Sequence, residues 1–148
     1  MPSTHLVLQY HVVFSTKERR PFIKKEWRQR FHKLISGCIR AKGGTPLAIG
    51  GVSDHVHLLV GLRSTHQLAN FVKAVKVSSS KWVHRDIGLE VFSWQIGYGA
   101  FTVSPSQTTI VRKYIEGQER HHSKISFKDE YLRLLKKSGA KFDEEYLW

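Results

Sequence analysis

Residues 47–62 read LAIGGVSDHVHLLVGL, two short apolar runs on either side of Ser53-Asp54, which is the pattern of an antiparallel hairpin. Its strands are expected over Leu47 to Val52 and His55 to Leu62. Toward the N-terminus, Leu6 to Phe14 (LVLQYHVVF) is rich in β-branched and aromatic residues and predicts a strand, closed by the charged turn Thr16 to Pro21. From Lys24 to about Ala41, Trp27, Phe31, Leu34, Ile35 and Cys38 recur at spacings of three and four, predicting an amphipathic helix stopped by Lys42-Gly43-Gly44. Toward the C-terminus, Ser64 or Thr65 is expected to cap a second helix that ends around Arg85 to Gly88. An extended stretch follows over Val91 to Val103, where Gly97 and Gly99 mark a bend, a bulge or a close backbone approach. Ser104 and Gln107 form an S-x-x-Q capping box for a third helix running to about His122. A last short helix spans about Lys128 to Lys136, before a tail ending Tyr146-Leu147-Trp148.

The order β-α-β-β-α-β with a C-terminal helical extension predicts an α+β chain. Its antiparallel sheet is ferredoxin-like (RRM-like), with two helices on one face. One domain is expected over 1–148, with a core at about 5–103 and an extension at about 104–148.

Charge narrows the partners. Twenty-four Lys and Arg against twelve Asp and Glu leave a formal +12, an excess that attracts phosphate backbones. These basic residues recur beside aromatics rather than in a tail, which favours nucleic-acid binding over a merely solubilising surface. Cys38 is the single cysteine, so the chain has no internal disulfide and no cysteine-based zinc site. No run approaches the roughly 18 apolar residues of a membrane span, and the N-terminus lacks a signal-peptide pattern. The expectation is a cytoplasmic protein.

His55-Val56-His57 lies within the third strand, where residues i and i+2 project to the same face. Two adjacent imidazoles are a ready pair of ligands for a divalent metal, but the same spacing fits a solvent-facing strand that carries two histidines without a role. A metal needs a third ligand. Tyr114 and Gln118 share a face of the third helix, one turn apart: Gln118 offers an amide oxygen and Tyr114 a phenol. The plainer alternative is a tyrosine packed at the border of a stripe formed by Ile110, Val111 and Ile115.

Together, H-U-H on a strand followed by Y-x-x-x-Q on a later helix resembles the single-tyrosine HUH transposases of the insertion-sequence 200/605 type. The resemblance covers nearly the whole chain: Tyr10-His11-Val12-Val13-Phe14, Gly51-Val52-Ser53-Asp54-His55-Val56-His57, Ser79-Ser80-Lys81-Trp82 and Trp94 to Phe101. It continues through Tyr114-Ile115-x-x-Gln118-x-x-His121-His122 to Phe127-x-x-Glu130-Tyr131. It implies a DNA transposase that cleaves and rejoins single-stranded DNA, folded into hairpin ends of an insertion sequence, through a 5′-phosphotyrosine. It further implies Mg²⁺ or Mn²⁺ as cofactor and a homodimer. Tyr114 would be the nucleophile, His55 and His57 metal ligands, and Gln118 the third ligand.

Neighbouring readings are a domesticated transposase acting on genomic repeats and an HUH nickase. A binding module without chemistry and a metal-dependent hydrolase are the other classes. Lys73, Lys76, Lys81 and Arg85 are candidates to track a DNA backbone, with Trp82 stacking a base; a solvated helix face with Trp82 in the core fits equally. Arg19 and Arg20 are candidate DNA contacts in the first turn, where a solvated turn is the plainer reading. One of His121 and His122 is expected beside the ligands or in contact with the DNA rather than as a ligand, and Tyr131 is expected to pack. His11 is either structural or near the DNA.

Overall fold

A computed structural model of the chain describes residues 3–143. The expected tail at 144–148 lies outside the described residues. The elements run β1 (Leu8–Ser15), α1 (Lys25–Ala41), β2 (Thr45–Gly51), β3 (His55–Leu62), α2 (Leu68–Trp82), β4 (Gly99–Thr102), α3 (Thr108–Glu116), α4 (Gln118–His121) and α5 (Phe127–Ser138). The strands form one antiparallel sheet in the order β2-β3-β1-β4, the ferredoxin-like arrangement. β3 is therefore an interior strand, with His57 opposite Val13 of β1 and Gly50 of β2.

Strand alternation sorts the two faces. Val12, Phe14, Val56, Leu58 and Val60 point to one side and pack against Phe31 and Ile35 of α1 and Phe71, Val72 and Val75 of α2. The residues between them, His11, Val13, His55, His57 and Leu59, point to the other side. There Ile115 of α3 joins Ala48 and Leu59, while Phe127, Tyr131 and Leu135 of α5 join Val13. The C-terminal extension thus forms a third layer, and both histidines of β3 are fully buried beneath it.

Two glycines let that layer approach. A Cβ on Gly50 would sit 1.9 Å from the carbonyl oxygen of Ile115, and one on Gly99 would sit 2.6 Å from the Tyr131 hydroxyl. Of the options for Gly97 and Gly99, close approach is what Gly99 provides, while Gly97 adopts a left-handed φ of 95°.

Several local expectations are corrected. Neither Ser64 nor Thr65 caps α2. The His66 ring holds a tight turn there, accepting from the Arg63 amide at Nδ1 (2.8 Å) and donating to the Lys42 carbonyl (2.7 Å), so the helix starts only at Leu68. Ser104 forms no capping box: its hydroxyl pairs with Ser106, and Pro105–Gln107 make a 3₁₀ turn before α3. The third helix breaks at Gly117 into α3 and α4. Of the extended stretch over Val91 to Val103 only β4 is a strand, helped by a single bridge from Trp94 to Thr16.

We expect Gly50→Ala to push α3 off the sheet and cost about 1–3 kcal/mol, as overpacked sites do. Urea denaturation measures this, and an unchanged midpoint would contradict the close approach.

Candidate metal and tyrosine site

The imidazoles of β3 do not stand alone. His11 of β1 places Nε2 2.7 Å from His57 Nδ1, so the expectation for His11 resolves to support of the histidine pair. Asp54, at the tip of the β2–β3 hairpin, accepts from His55 Nδ1 at 2.7 Å. Each ring of the pair is thus oriented from behind through Nδ1, leaving Nε2 to face the space under the third layer.

Into that space the C-terminal segment delivers five groups. Gln118, buried at the start of α4, puts Oε1 3.0 Å from His55 Nε2. Tyr114 of α3 donates its hydroxyl to Oε2 of Glu130 on α5. Gln118 Nε2 donates to the same oxygen at 3.0 Å. Glu130 Oε1 lies 2.8 Å from His57 Nε2 and 3.6 Å from His55 Nε2. His122 follows α4 and brings its Nε2 to 3.1 Å from Glu130 Oε1, and His121 Nε2 stands 3.1 Å from Oε2. Both contacts are close but too poorly aligned to be hydrogen bonds.

Tyr114 therefore meets the histidines of its own chain, with its ring centroid 5.6 Å from that of His57. The alternative of a solvent-facing histidine strand is excluded by complete burial. Glu130 is the functional candidate that sequence spacing missed. It lies in the quoted Phe127-x-x-Glu130-Tyr131 segment, yet nothing along α5 marks one acidic residue of that amphipathic helix as buried. Ser126 caps that helix by accepting from the Asp129 amide.

Electrostatics follow from the packing. Burial, with the neighbouring His57, lowers the His11 pKa to about 3. Burial likewise lowers His57 to about 4 against the pull of Glu130. Burial would raise the Glu130 carboxyl, but the His122 and His57 rings beside it outweigh that and hold it far below the usual carboxylate range. Burial and then Glu130 push the Tyr114 hydroxyl well above its ordinary value. Burial opposes a charge on His122, yet the Glu130 contact outweighs it and the pKa rises.

A divalent cation fits this donor set. The ligand atoms of His55, His57, His122 and Glu130 all lie within 4.8 Å of one another, and the buried His122 Nε2 has no hydrogen-bond partner. Nitrogen and carboxylate donors in that mix suit first-row divalent ions.

The DNA-contact candidates fall in different places. Lys73, Lys76 and Lys81 line a cavity of about 600 Å³ between α2 and the Trp94–Tyr98 loop, on the sheet face away from the histidines. Lys76 is committed there, donating to the carbonyls of Gln95 (2.8 Å) and Gly97 (2.6 Å). Trp82 packs against Trp27 and Phe31, its ring 5.9 Å from that of Phe31, and so belongs to the core. Arg85 pairs with Asp86 and Arg20 with Glu18, both at the surface. Arg19 lines a cavity with Asp54 and His122, beside the buried cluster. Tyr131 is buried against Phe127. A group not foreseen borders Tyr114 and His121: Lys113, Arg120, Lys124 and Arg133 line a cavity of about 620 Å³ with them.

Fold and cluster define a sheet-borne histidine–carboxylate site with a tyrosine held against it. The family model "Transposase IS200 like" matches residues 4–118, and the chain belongs to that family. The matched span includes His55, His57, Tyr114 and Gln118, while α5 with Glu130 lies beyond it. Among curated relatives, the ISDra2 transposase TnpA of Deinococcus radiodurans is 25% identical over 117 residues, 75% of this chain and 84% of that protein. A solved structure described as a putative transposase from Deinococcus radiodurans R1 superposes with a TM-score of 0.64 at 25% identity, covering 80% of this chain and 95% of the other. A REP-associated tyrosine transposase bound to a REP hairpin shares the fold, with a TM-score of 0.61 at 12% identity, covering 100% and 90%. No helix among the described residues is long and apolar enough to cross a membrane.

The lowered values for His11 and His57 set a pH dependence. Unfolded, both rings take up protons near pH 6.5, whereas the folded site resists until about pH 3 and 4. Their contribution is therefore present above pH 6.5 and lost as pH falls toward 4, while the raised His122 opposes it. We expect the metal-free melting temperature to drop between pH 6.5 and 4, measured by circular dichroism. A flat profile would count against neutral buried rings.

Proposed function

We propose that this transposase-family chain cleaves and rejoins single-stranded DNA through a covalent 5′-phosphotyrosine on Tyr114, with a divalent metal, Mg²⁺ or Mn²⁺, held by His55, His57 and Gln118. The observation that carries the reading is the convergence of the Tyr114 hydroxyl and the buried histidine pair on one carboxylate, Glu130. A phenol is a weak nucleophile at neutral pH, and burial makes this one weaker, so it needs help at the moment of attack. A bound metal would supply that help by withdrawing charge from the phosphorus and steadying the departing oxygen.

The chain's own residues do the rest. Tyr114 Oη forms the new bond to phosphorus while the bond to the 3′-oxygen breaks and the strand leaves as a 3′-hydroxyl. Glu130 Oε2 orients the hydroxyl by accepting its hydrogen bond; the phenol proton is released to solvent as the bond forms, and the departing 3′-oxygen takes one up. His11 and Asp54 fix the rings of His57 and His55, so the ligand atoms keep their positions during attack. Lys113, Arg120, Lys124 and Arg133, around the cavity at Tyr114, are suited to guide a phosphate backbone to the hydroxyl. Storing the phosphoester in a covalent link lets religation proceed without a nucleotide cofactor. Hairpin ends of an insertion sequence are the expected substrate and a homodimer the expected assembly.

Hairpin oligonucleotides incubated with protein and Mn²⁺ are expected to give a denaturation-resistant adduct on a gel. The adduct should vanish in Tyr114→Phe and with chelator, drop on the order of a hundredfold or more in His55→Ala, and persist in Tyr131→Phe. An adduct retained by Tyr114→Phe would remove the nucleophile from α3. Affinity should also fall steeply with salt, with a log–log slope of roughly −3 if about four phosphates are contacted. Lys113→Ala combined with Arg133→Ala should flatten that slope more than Lys73→Ala combined with Lys81→Ala.

A further inference from the structure

More side chains turn ligand atoms toward Glu130 than the histidine pair and Gln118 alone. His122 Nδ1 lies 2.7 Å from the Ile125 carbonyl oxygen, which can only accept, so Nδ1 carries the proton. Its Nε2, the other ring nitrogen, is turned into the cluster 3.1 Å from Glu130 Oε1 without the alignment of a hydrogen bond. His55 repeats the pattern. Its Nδ1 donates to Asp54, so its Nε2 is the atom that faces the amide oxygen of Gln118 at 3.0 Å and Glu130 Oε1 at 3.6 Å. The Gln118 amide is not free to turn over, because its nitrogen donates to Glu130 Oε2. Nε2 of His55, His57 and His122 and Oε1 of Glu130 and Gln118 thus converge on one buried point. A divalent ion there would take up all five donors at once.

The two Glu130 oxygens face different partners. Oε1 meets the nitrogens of His55, His57 and His122, whereas Oε2 meets the Tyr114 hydroxyl, Gln118 and His121. We propose that Glu130, through Oε1, and His122, through Nε2, are themselves ligands of the ion, beside His55, His57 and Gln118. The α4–α5 segment then closes the metal site and holds the tyrosine with the free oxygen of a ligating carboxylate. This rests on the reading that the site works with a bound divalent cation. With those five donors, an ion that takes six ligands would still have a position for a phosphate oxygen. It goes beyond the sequence expectation, which placed one of His121 and His122 beside the ligands or the DNA rather than on the ion.

Mn²⁺ titrated into the full chain, with free ion followed by electron paramagnetic resonance, tests the proposal without reference to activity. Glu130→Gln is expected to weaken Mn²⁺ binding about tenfold or more, Glu130→Asp to recover part of it, and His122→Ala to weaken it comparably. Circular dichroism checks each fold. Should Glu130→Gln not fold, His122→Ala decides, since it leaves the carboxylate in place. Wild-type affinity, or tighter binding, in Glu130→Gln or in His122→Ala overturns the proposal. If the unaltered chain binds Mn²⁺ and forms the adduct while these variants bind normally, only this inference fails. If the unaltered chain binds no Mn²⁺, the metal-dependent reading fails with it.

Discussion

An ionised carboxylate is among the costliest side chains to bury, and Glu130 sits 2% exposed at the centre of the molecule's polar cluster. It stays there because His57 of β3 and, from the 114–122 segment, Tyr114, Gln118, His121 and His122 surround it. Removing any one leaves the rest under-satisfied, so the cluster acts as a unit rather than as a sum of pairs. The same contacts hold α3, α4 and α5 against the sheet. Function and architecture therefore rest on one set of bonds.

The sheet makes this possible by dividing its labour. Period-two alternation sends Val56, Leu58 and Val60 into an ordinary apolar core with α1 and α2, and His55 and His57 to the opposite face. Because β3 is interior, those imidazoles are flanked by β1 and β2 and cannot tilt away, and His11 from β1 supports one of them. Gly50 and Gly99 then leave room for the third layer at the two sides of the pair. Chemistry-bearing side chains are thus held by strands rather than by loops, which fixes their separation closely.

Basic residues are distributed around this centre with different duties. On α2 the lysines border a groove remote from the cluster, and Lys76 also braces the 95–97 loop while lying 5.2 Å over the Phe14 ring. Burial lowers its pKa to about 8, as expected for an ammonium doing structural work. The cations beside Tyr114, from Lys113, Arg120, Lys124 and Arg133, line the cavity that its side chain borders. Net charge alone does not separate these two groups.

Sequence by itself determined what depends on local periodicity: the strand–helix order, the shared face of His55 and His57, and the hairpin that presents them. The resemblance carried by Tyr114 and Gln118 added which later residues to watch. Spacing left open whether the histidines were buried, because alternation gives a side and not what covers it. It misplaced the starts of α2 and α3, where the ring of His66 and the turn at Pro105 override the apparent caps. Only the tertiary structure decided that Glu130 joins the site, for it lies 73 residues from His57 in sequence. A meeting at that separation is set by how α5 packs through Phe127, Tyr131 and Leu135, a long-range outcome that no local pattern encodes.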